Sequence, residues 1–590
     1  MCGIIGYVGS RPALPLILPA LQKLEYRGYD SYGFASVDQG RLFVEKAVGK
    51  ISAADVERAK LPGTRAAGHS RWATTGSVTR ANAHPHLDCT GKLAVVHNGI
   101  VENFTDLKAT LEHRGHRFSS ETDTEVIPHL IEDGLRAGAG LAEAVRQAFS
   151  RLEGRNAILA LHAELPGLVA ARTGSPLIVG LADGETFVAS DVPAFLEHTR
   201  DVAYLDDGEM VTIAAGQPPV FQSIATGAAV QKRRVTIDWD SAAAEKGSYA
   251  HFMLKEIMEQ KDTIKRAIEQ DDAEIEKLAQ LIRDARGTFF IGCGTAGKVC
   301  FSAEYAFAEI ADKHVNFVPA SEFRGHERFL GKGSLVIAIS QSGETADVLD
   351  ALQLAKQKGA TVVALVNVQG SSVARVADHV FLINAGPEKA VASTKATTAQ
   401  LALVLLLAYA TAGKLQEGKR LLLDAAGAVN DMLNPRYAEH IRGLAEHLRS
   451  NKNVYIIGRG PNYPMALESA IKIMEVSYIH AQGFAGGELK HGPLALIEKG
   501  APCIVLAAND EHRRHIISNA MEVKARGGFI IGISPEKNPV FDYWIRVPDV
   551  GAASPIVNII PIQLLAYYLG ILRGNDIDMP RNLAKSVVTR

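Results

Sequence analysis

Met1-Cys2-Gly3 puts a thiol directly behind the first methionine. Loss of that methionine would give Cys2 a free α-amine, which titrates near ~8, so nucleophile and proton acceptor would share one residue. A chance cysteine at position 2 reads the same way. Further polar segments follow it: Glu25-Tyr26-Arg27-Gly28-Tyr29-Asp30-Ser31 after a helical stretch, and His69-Ser70-Arg71-Trp72-Ala73-Thr74 and Val96-His97-Asn98-Gly99 at strand ends. Glu121-Thr122-Asp123-Thr124 opens a helix. Taken singly these are caps and turns, with Asp123 an N-cap and Asn98-Gly99 a hairpin turn.

A second set of groups lies in the other half of the chain. Ser340-Gln341-Ser342-Gly343-Glu344-Thr345 stands between a strand and a helix. Its hydroxyls and backbone N–H groups would converge at a helix N-terminus, a site that favours phosphate; a plain N-cap with a serine-rich turn is the bland alternative. Glu468, Lys472 and Glu475 fall at i, i+4 and i+7, within a stripe about 60° wide on one helix. A solvated Glu–Lys face is the ordinary reading of such spacing. The rest of that helix is apolar, which argues for a stripe lining a buried cleft. His491 sits in a Gly487–Pro493 loop, where a structural histidine is the usual occupant. Near the end of the chain, Pro580-Arg581-Asn582-Leu583-Ala584-Lys585 lacks the composition of a free linker.

The elements that must position these groups change character near residue 240. Before it, short strands dominate (Gly3–Gly9, Tyr32–Asp38, Arg41–Gly49, Lys92–Val101), with Asp38-Gln39-Gly40 as a hairpin turn and helices near Leu14–Glu25 and Thr124–Arg136. After residue 250, strand, glycine turn and helix alternate, as in a parallel doubly wound sheet. The pattern occurs twice, first with strands at Phe289–Ile291, Leu335–Ser340 and Val362–Asn367. It returns at Val454–Ile457, Cys503–Ala508 and Phe529–Ser534. The copies differ where the first has its serine-rich loop and the second has Ala508-Asn509-Asp510. The expected plan is four segments: 1–240, 241–430, 431–575 and a tail, 576–590.

Composition bounds the function. Lys plus Arg number 63 against 65 Asp plus Glu, which argues against a nucleic-acid-coating role. Five scattered cysteines, with no Cys/His ligand spacing, argue against a disulfide framework and a structural zinc site and point to the cytosol. The longest apolar run, Leu401–Ala412, is too short to span a bilayer and reads as a buried helix.

Together, the segments around Cys2, Arg27, Arg71, Asn98 and Asp123 resemble the N-terminal-nucleophile glutamine amidotransferases. That resemblance implies an α+β domain of αββα sandwich form. It also implies that Cys2 attacks glutamine, Arg71 and Asp123 hold its carboxylate and amine, and Asn98 and Gly99 form the oxyanion hole. Arg27 and Trp72 complete the glutamine-binding set: Arg27 helps to order the nucleophile, and Trp72 gates an ammonia channel. Thr75 departs from the pattern, where histidine is usual. The serine-rich loop resembles the phosphosugar signature of sugar isomerase domains, here two α/β doubly wound copies. Ser340, Gln341, Ser342, Thr345, Thr295, Val391 and Ala392 then bind the sugar phosphate, and Ala296 replaces a usual serine.

Over essentially the whole chain the sequence resembles the glucosamine-6-phosphate synthase family. The resemblance makes glutamine and fructose 6-phosphate the substrates. It makes Lys585 the imine-forming amine, on a tail packed into the sugar site, and His491 the aid to ring opening from a neighbouring subunit of a homodimer. Glu475 moves the proton between C1 and C2, with Lys472 and Glu468 in support. No metal, nucleotide or organic cofactor is implied, nor a nucleic-acid or membrane partner. A phosphosugar-binding regulator and a sugar-amine deaminase with a vestigial glutaminase domain are the alternatives. A phosphoribosyl-transferring or ATP-pyrophosphatase partner domain would need a paired-aspartate or Ser-Gly-Gly loop, which the sequence lacks.

Overall fold

In the computed structural model, which describes residues 2–51, 62–237 and 245–587, strand Gly3–Val8 sends Ile4 and Val8 to one face and Ile5 and Tyr7 to the other. Successive side chains of a strand alternate in this way, and both faces here are buried. Ile5 and Tyr7 pack with Ile17 and Leu21 of helix Leu14–Lys23. Ile4 and Val8 meet Ala94, Val96, Leu159 and Leu161 of a second sheet. That sheet turns Leu93, Val95 and Ile158 to its far face, against Ile127, Ile131 and Val145 of helices Val126–Arg136 and Leu141–Phe149. The layers are therefore helix, sheet, sheet, helix. The first sheet has eight strands and the second six, with antiparallel neighbours throughout.

The chain divides into two units: residues up to 245 together with the chain end from 584, and residues 246–583. The boundary expected at 240 lies outside the described residues. The second unit holds two five-stranded parallel sheets. In the first, the spatial order is Asn316–Pro319, Gly287–Gly292, Ser334–Ser340, Thr361–Val366, His379–Leu382; in the second, His480–Ala485, Asn453–Gly458, Pro502–Leu506, Phe529–Ser534, Tyr543–Arg546. Both run 2-1-3-4-5 in chain order, so each has a switch point between its first and third strands, where such sheets bind ligands.

The two copies share one continuous core, in which Phe290 and Ile337 of the first join Ile456 and Ile531 of the second. Helix Lys395–Thr411 is buried along its whole length, as expected of the Leu401–Ala412 run. Segment Gly551–Leu572 is long and apolar enough to cross a membrane, but 83% of its most apolar stretch is buried inside this core.

Two turn expectations diverge. Asp38 pairs with Arg41 across Gln39 (φ 45°) and Gly40 (φ 73°), the two positive angles of a tight hairpin. Asn98 and Gly99 are no hairpin turn: they end strand Leu93–Gly99 and pair with Ala157 and Asn156. Gly99 has φ 135°, and a Cβ there would stand 2.0 Å from the Arg155 carbonyl, so only glycine fits.

Candidate active site

Cys2 is half-buried at the start of the first strand, held between two loops. Its Sγ accepts the Trp72 N–H at 3.3 Å and faces the Trp72 carbonyl at 3.5 Å. Its own carbonyl is fixed by Asn98 Nδ2 at 2.9 Å and Arg27 Nε at 3.3 Å. Arg27 in turn is braced by Asp191 Oδ2 at 3.0 Å, which also takes the Tyr26 hydroxyl. Burial pushes the Cys2 thiol up, partly offset by the Trp72 N–H and Arg71. A thiol so placed needs a base to become a nucleophile. Gly3 is required beside it, because a Cβ would meet Ser70 Oγ at 2.6 Å and Leu24 Cβ at 2.8 Å.

Arg71 ends strand Arg65–Arg71. Its guanidinium donates to the carbonyls of Thr75 at 2.5 Å, Gly76 at 3.2 Å and Ser77 at 3.3 Å. Burial lowers its pKa, opposed by the charges of Cys2, Asp123 and Asp30, so the cation and Asp123 belong to one electrostatic set. Asp123 does not cap its helix; its Oδ2 accepts the Val101 N–H at 2.7 Å, tying the Asp123–Glu125 turn to the end of the Asn98-Gly99 strand. Behind them lie buried, neutral histidines. His69 is pushed down to about 3 by burial, and its Nε2 meets the His97 carbonyl at 2.9 Å. Trp72 is half-buried.

In the second unit, Ser340 ends the third strand of the first sheet, and Thr345 precedes helix Ala346–Gln357. The loop between them is folded on itself: Ser340 Oγ accepts the Gly343 N–H at 3.0 Å and lies 3.4 Å from Thr345 Oγ1. Gly343 has φ 65°, and a Cβ there would stand 2.0 Å from Ser371 Oγ. Gln341 and Glu344 face the next loop, accepting through the Gln341 carbonyl from Asn367 N and through Glu344 Oε1 from Ser372 N. Thr295 follows the first strand, Gly287–Gly292, on the other side of the same switch point.

Thr295 links the two copies, for its hydroxyl donates to Glu468 Oε1 at 3.0 Å. Glu468 and Lys472 are completely buried on helix Asn462–Ser477, and Glu475 is partly so, which decides for a cleft over a solvated face. Lys472 Nζ lies 3.4 Å from Glu468 and 2.6 Å from Glu475. Burial alone would lower the Lys472 pKa, but the two carboxylates raise it, so the amine stays a cation. Glu468, desolvated and beside Glu475, is pushed up to about 7 despite Lys472. Val391 and Ala392 are buried. The stretch before them is clamped by Glu256, which accepts from Lys389 N and Ala390 N. Glu388 holds the stretch after them, accepting from Ser393 Oγ, Thr394 N and Ala396 N at 3.0 Å each. His491 is exposed at the end of the short turn Gly486–His491.

Residues 69–197 match the glutamine amidotransferase domain, and residues 281–410 and 447–573 each match the SIS domain. The chain is 46% identical to the glutamine–fructose-6-phosphate aminotransferase [isomerizing] of Pyrococcus horikoshii, over an alignment of 605 positions covering all of both chains. It belongs to the glutamine–fructose-6-phosphate aminotransferase (isomerizing) family. The Thermococcus kodakarensis member is 45% identical, again over the full length of both. Among solved structures, the C-terminal domain of glucosamine-fructose-6-phosphate aminotransferase from Francisella tularensis matches with a TM-score of 0.52 at 33% identity, over 57% of this chain and 99% of that one.

Within this aminotransferase-family chain the tail is ordered by contacts no motif announced. Asp578 accepts from Phe252 N and Met253 N at 2.9 Å, and its carbonyl accepts the Val391 N–H at 3.0 Å. The Arg581 N–H donates to the Tyr478 hydroxyl at 2.8 Å, and its guanidinium lies 4.3 Å from that ring, at the end of the Glu468–Glu475 helix. Lys585 is half-buried, in the stretch from 584 that groups with the first unit. Thr75 meets Arg71 through its carbonyl, a contact that any residue there supplies. Sequence reading missed Asp191, Glu256 and Glu388. It also missed that Cys89, His116, His129 and Glu132 bring ligand-type atoms within 4.8 Å of one another.

Proposed function

We propose that the chain carries out its family's reaction, moving the amide nitrogen of glutamine to fructose 6-phosphate to give glutamate and glucosamine 6-phosphate, the first step of amino-sugar synthesis. Once Met1 has been removed, Cys2 Sγ attacks the amide carbon after passing its proton to the α-amine so freed. Asn98 Nδ2 has two hydrogens; one holds the Cys2 carbonyl, and the other, with the Gly99 N–H, meets the oxyanion. Arg71 takes the substrate carboxylate and Asp123 its ammonium. Ammonia leaves past Trp72, and water frees glutamate.

At the sugar site, Ser340, Gln341, Ser342 and Thr345 bind phosphate, and Thr295, Val391 and Ala392 line the sugar. Lys585 forms the imine with the open-chain ketose, His491 of a second subunit aids ring opening in a homodimer, and Glu475 carries the proton from C1 to C2. Lys472 suits support, not imine formation, because its two carboxylates keep it cationic. The segments 1–240, 241–430, 431–575 and 576–590 serve as glutaminase, two isomerase domains and catalytic tail, in the cytosol.

The observation that carries this reading is the buried Glu468–Lys472–Glu475 set, bonded to Thr295. A phosphosugar sensor needs the loop but no acid–base group. Incubation with glutamine and fructose 6-phosphate should yield glutamate and glucosamine 6-phosphate in equal amounts. Glutamate release with no amino sugar, in folded protein, would refute it.

A further inference from the structure

Four side chains from three segments of the first unit converge on one point away from Cys2. Cys89 follows strand His86–Leu87, His116 follows helix Phe104–His113, and His129 and Glu132 lie on helix Val126–Arg136. Cys89 Sγ is 3.6 Å from Nδ1 of His116 and 3.6 Å from Nδ1 of His129. The two Nδ1 atoms are 3.2 Å apart, and Glu132 Oε2 is 3.0 Å from the one and 3.3 Å from the other. Tetrahedral zinc, with bonds of about 2.3 Å to sulfur and 2.0–2.1 Å to nitrogen, spaces its ligands roughly 3.6 Å apart for S···N and 3.3 Å for N···N. The cluster has those edges.

The surroundings match as well. His116 Nε2 meets Asp133 Oδ1 at 2.9 Å, which puts its proton on the outer nitrogen and turns the Nδ1 lone pair inward. A carboxylate behind a ligating imidazole is the usual outer partner of such a site. Arg136 donates to Glu132 Oε1, while Oε2 faces the cluster and also accepts the Cys89 N–H at 3.1 Å. The side chains of His116, His129 and Glu132 are 0%, 1% and 2% exposed, so the carboxylate and imidazoles meet in a poorly screened place that a bound cation would satisfy. Cys89 is exposed and offers the way in from solvent.

We infer that Cys89, His116, His129 and Glu132 form a divalent-metal site, with zinc the ion that suits a thiolate, two imidazoles and a carboxylate. Four protein ligands leave no open position, so the ion is structural. It joins the turn at Cys89 and the segment at His116 to the helix that begins three residues after Asp123, and so fixes that carboxylate's turn.

The full chain, purified without metal affinity, should carry about one zinc per chain by elemental analysis, as a closed four-ligand site implies. Cobalt added after chelation should give the visible bands of a tetrahedral thiolate site. Cys89→Ser and His129→Gln should each lose the metal and the bands, and Asp133→Asn should weaken zinc binding roughly 10- to 100-fold. Chelation should lower the thermal midpoint of the parent protein and leave that of His129→Gln unmoved. A Cys2→Ala protein should keep its zinc. The inference is overturned if the parent binds no zinc at micromolar concentration, or if Cys89→Ser and His129→Gln both retain the parent stoichiometry. Loss of the metal in Cys2→Ala alone would put the ion at the nucleophile and overturn it too.

Discussion

Asp191→Asn should cripple glutamine hydrolysis although Asp191 touches neither Cys2 nor, in the proposed mechanism, the substrate. Both oxygens of Asp191 are committed: Oδ2 accepts from Tyr26 and Arg27 Nη1, and Oδ1 accepts the Val192 N–H at 2.8 Å. Asparagine can satisfy only one side. With its oxygen toward Arg27 it turns an NH2 against the Val192 N–H, and with the reverse orientation it turns the NH2 against the guanidinium. Arg27 is 4% exposed, so losing its counter-charge leaves a buried cation poorly compensated. One charge-assisted bond is worth about 1.5–3 kcal/mol. Asp191 is 22% exposed, so water recovers part of the loss, and the expected cost is about 2–3 kcal/mol. If this falls on the positioning of the Cys2 carbonyl, glutaminase kcat/KM drops roughly 30- to 150-fold, at 1.4 kcal/mol per decade. Glutamate release measures it, and binding of fructose 6-phosphate should be unchanged. Arg27→Met in the Asp191→Asn background should add little further loss, because the stranded charge is gone. Glutaminase activity within twofold of the parent in folded Asp191→Asn protein would refute the chain of reasoning from Asp191 through Arg27 to Cys2.

Gly343→Ala should raise the KM for fructose 6-phosphate at least tenfold and spare glutamine hydrolysis, since the methyl would overlap Ser371 Oγ at a positive φ; an unchanged sugar KM would move the phosphate elsewhere. Glu468, at about 7 when folded and about 4.3 when unfolded, binds its proton more tightly in the native state, so it subtracts stability as pH rises from about 4.5 to 7. The difference in urea midpoint between Glu468→Gln and the parent should therefore grow in favour of the variant over that window, and a pH-independent difference would contradict the shift. Lys585→Ala should abolish amino-sugar formation from glutamine or ammonia while basal glutamine hydrolysis persists. Borohydride should trap sugar on the parent enzyme at Lys585, and robust synthesis by the variant would disprove the imine assignment.

The sheet cores were legible because the buried strands are short apolar runs, the first of each copy ending in a glycine turn at Ile291-Gly292 and Ile457-Gly458. The edge strands were not. Asn316–Pro319 and His379–Leu382 are only four residues each and half-exposed, too short for their apolar residues to mark a strand. Asn98-Gly99 misleads because the same dipeptide serves a hairpin and a glycine-only strand end; the Arg155 carbonyl decides between them, and no local pattern contains it. Asp123 looks like a cap from its neighbours, yet its partner, Val101, lies 22 residues away. The Glu468–Lys472–Glu475 stripe was readable because the apolar remainder of its own helix carries the burial signal. Arg27 and Asp191, 164 residues apart, share no such pattern, and the cluster at Cys89 is spread over three segments.

The continuous core of the second unit means that the duplicated halves are no longer modules. Phe290 and Ile456 belong to one apolar mass, so an isolated half would expose the face it now hides. Chimeras between relatives should tolerate a crossover near residue 245, where the two units part, when the chain end from 584 comes from the same relative as the first unit. A junction between the copies would separate residues that have adapted to each other's shape. Mutations in either copy's core are therefore felt by both, and the copy without the serine-rich loop supplies packing to its twin as well as the Glu468–Glu475 helix.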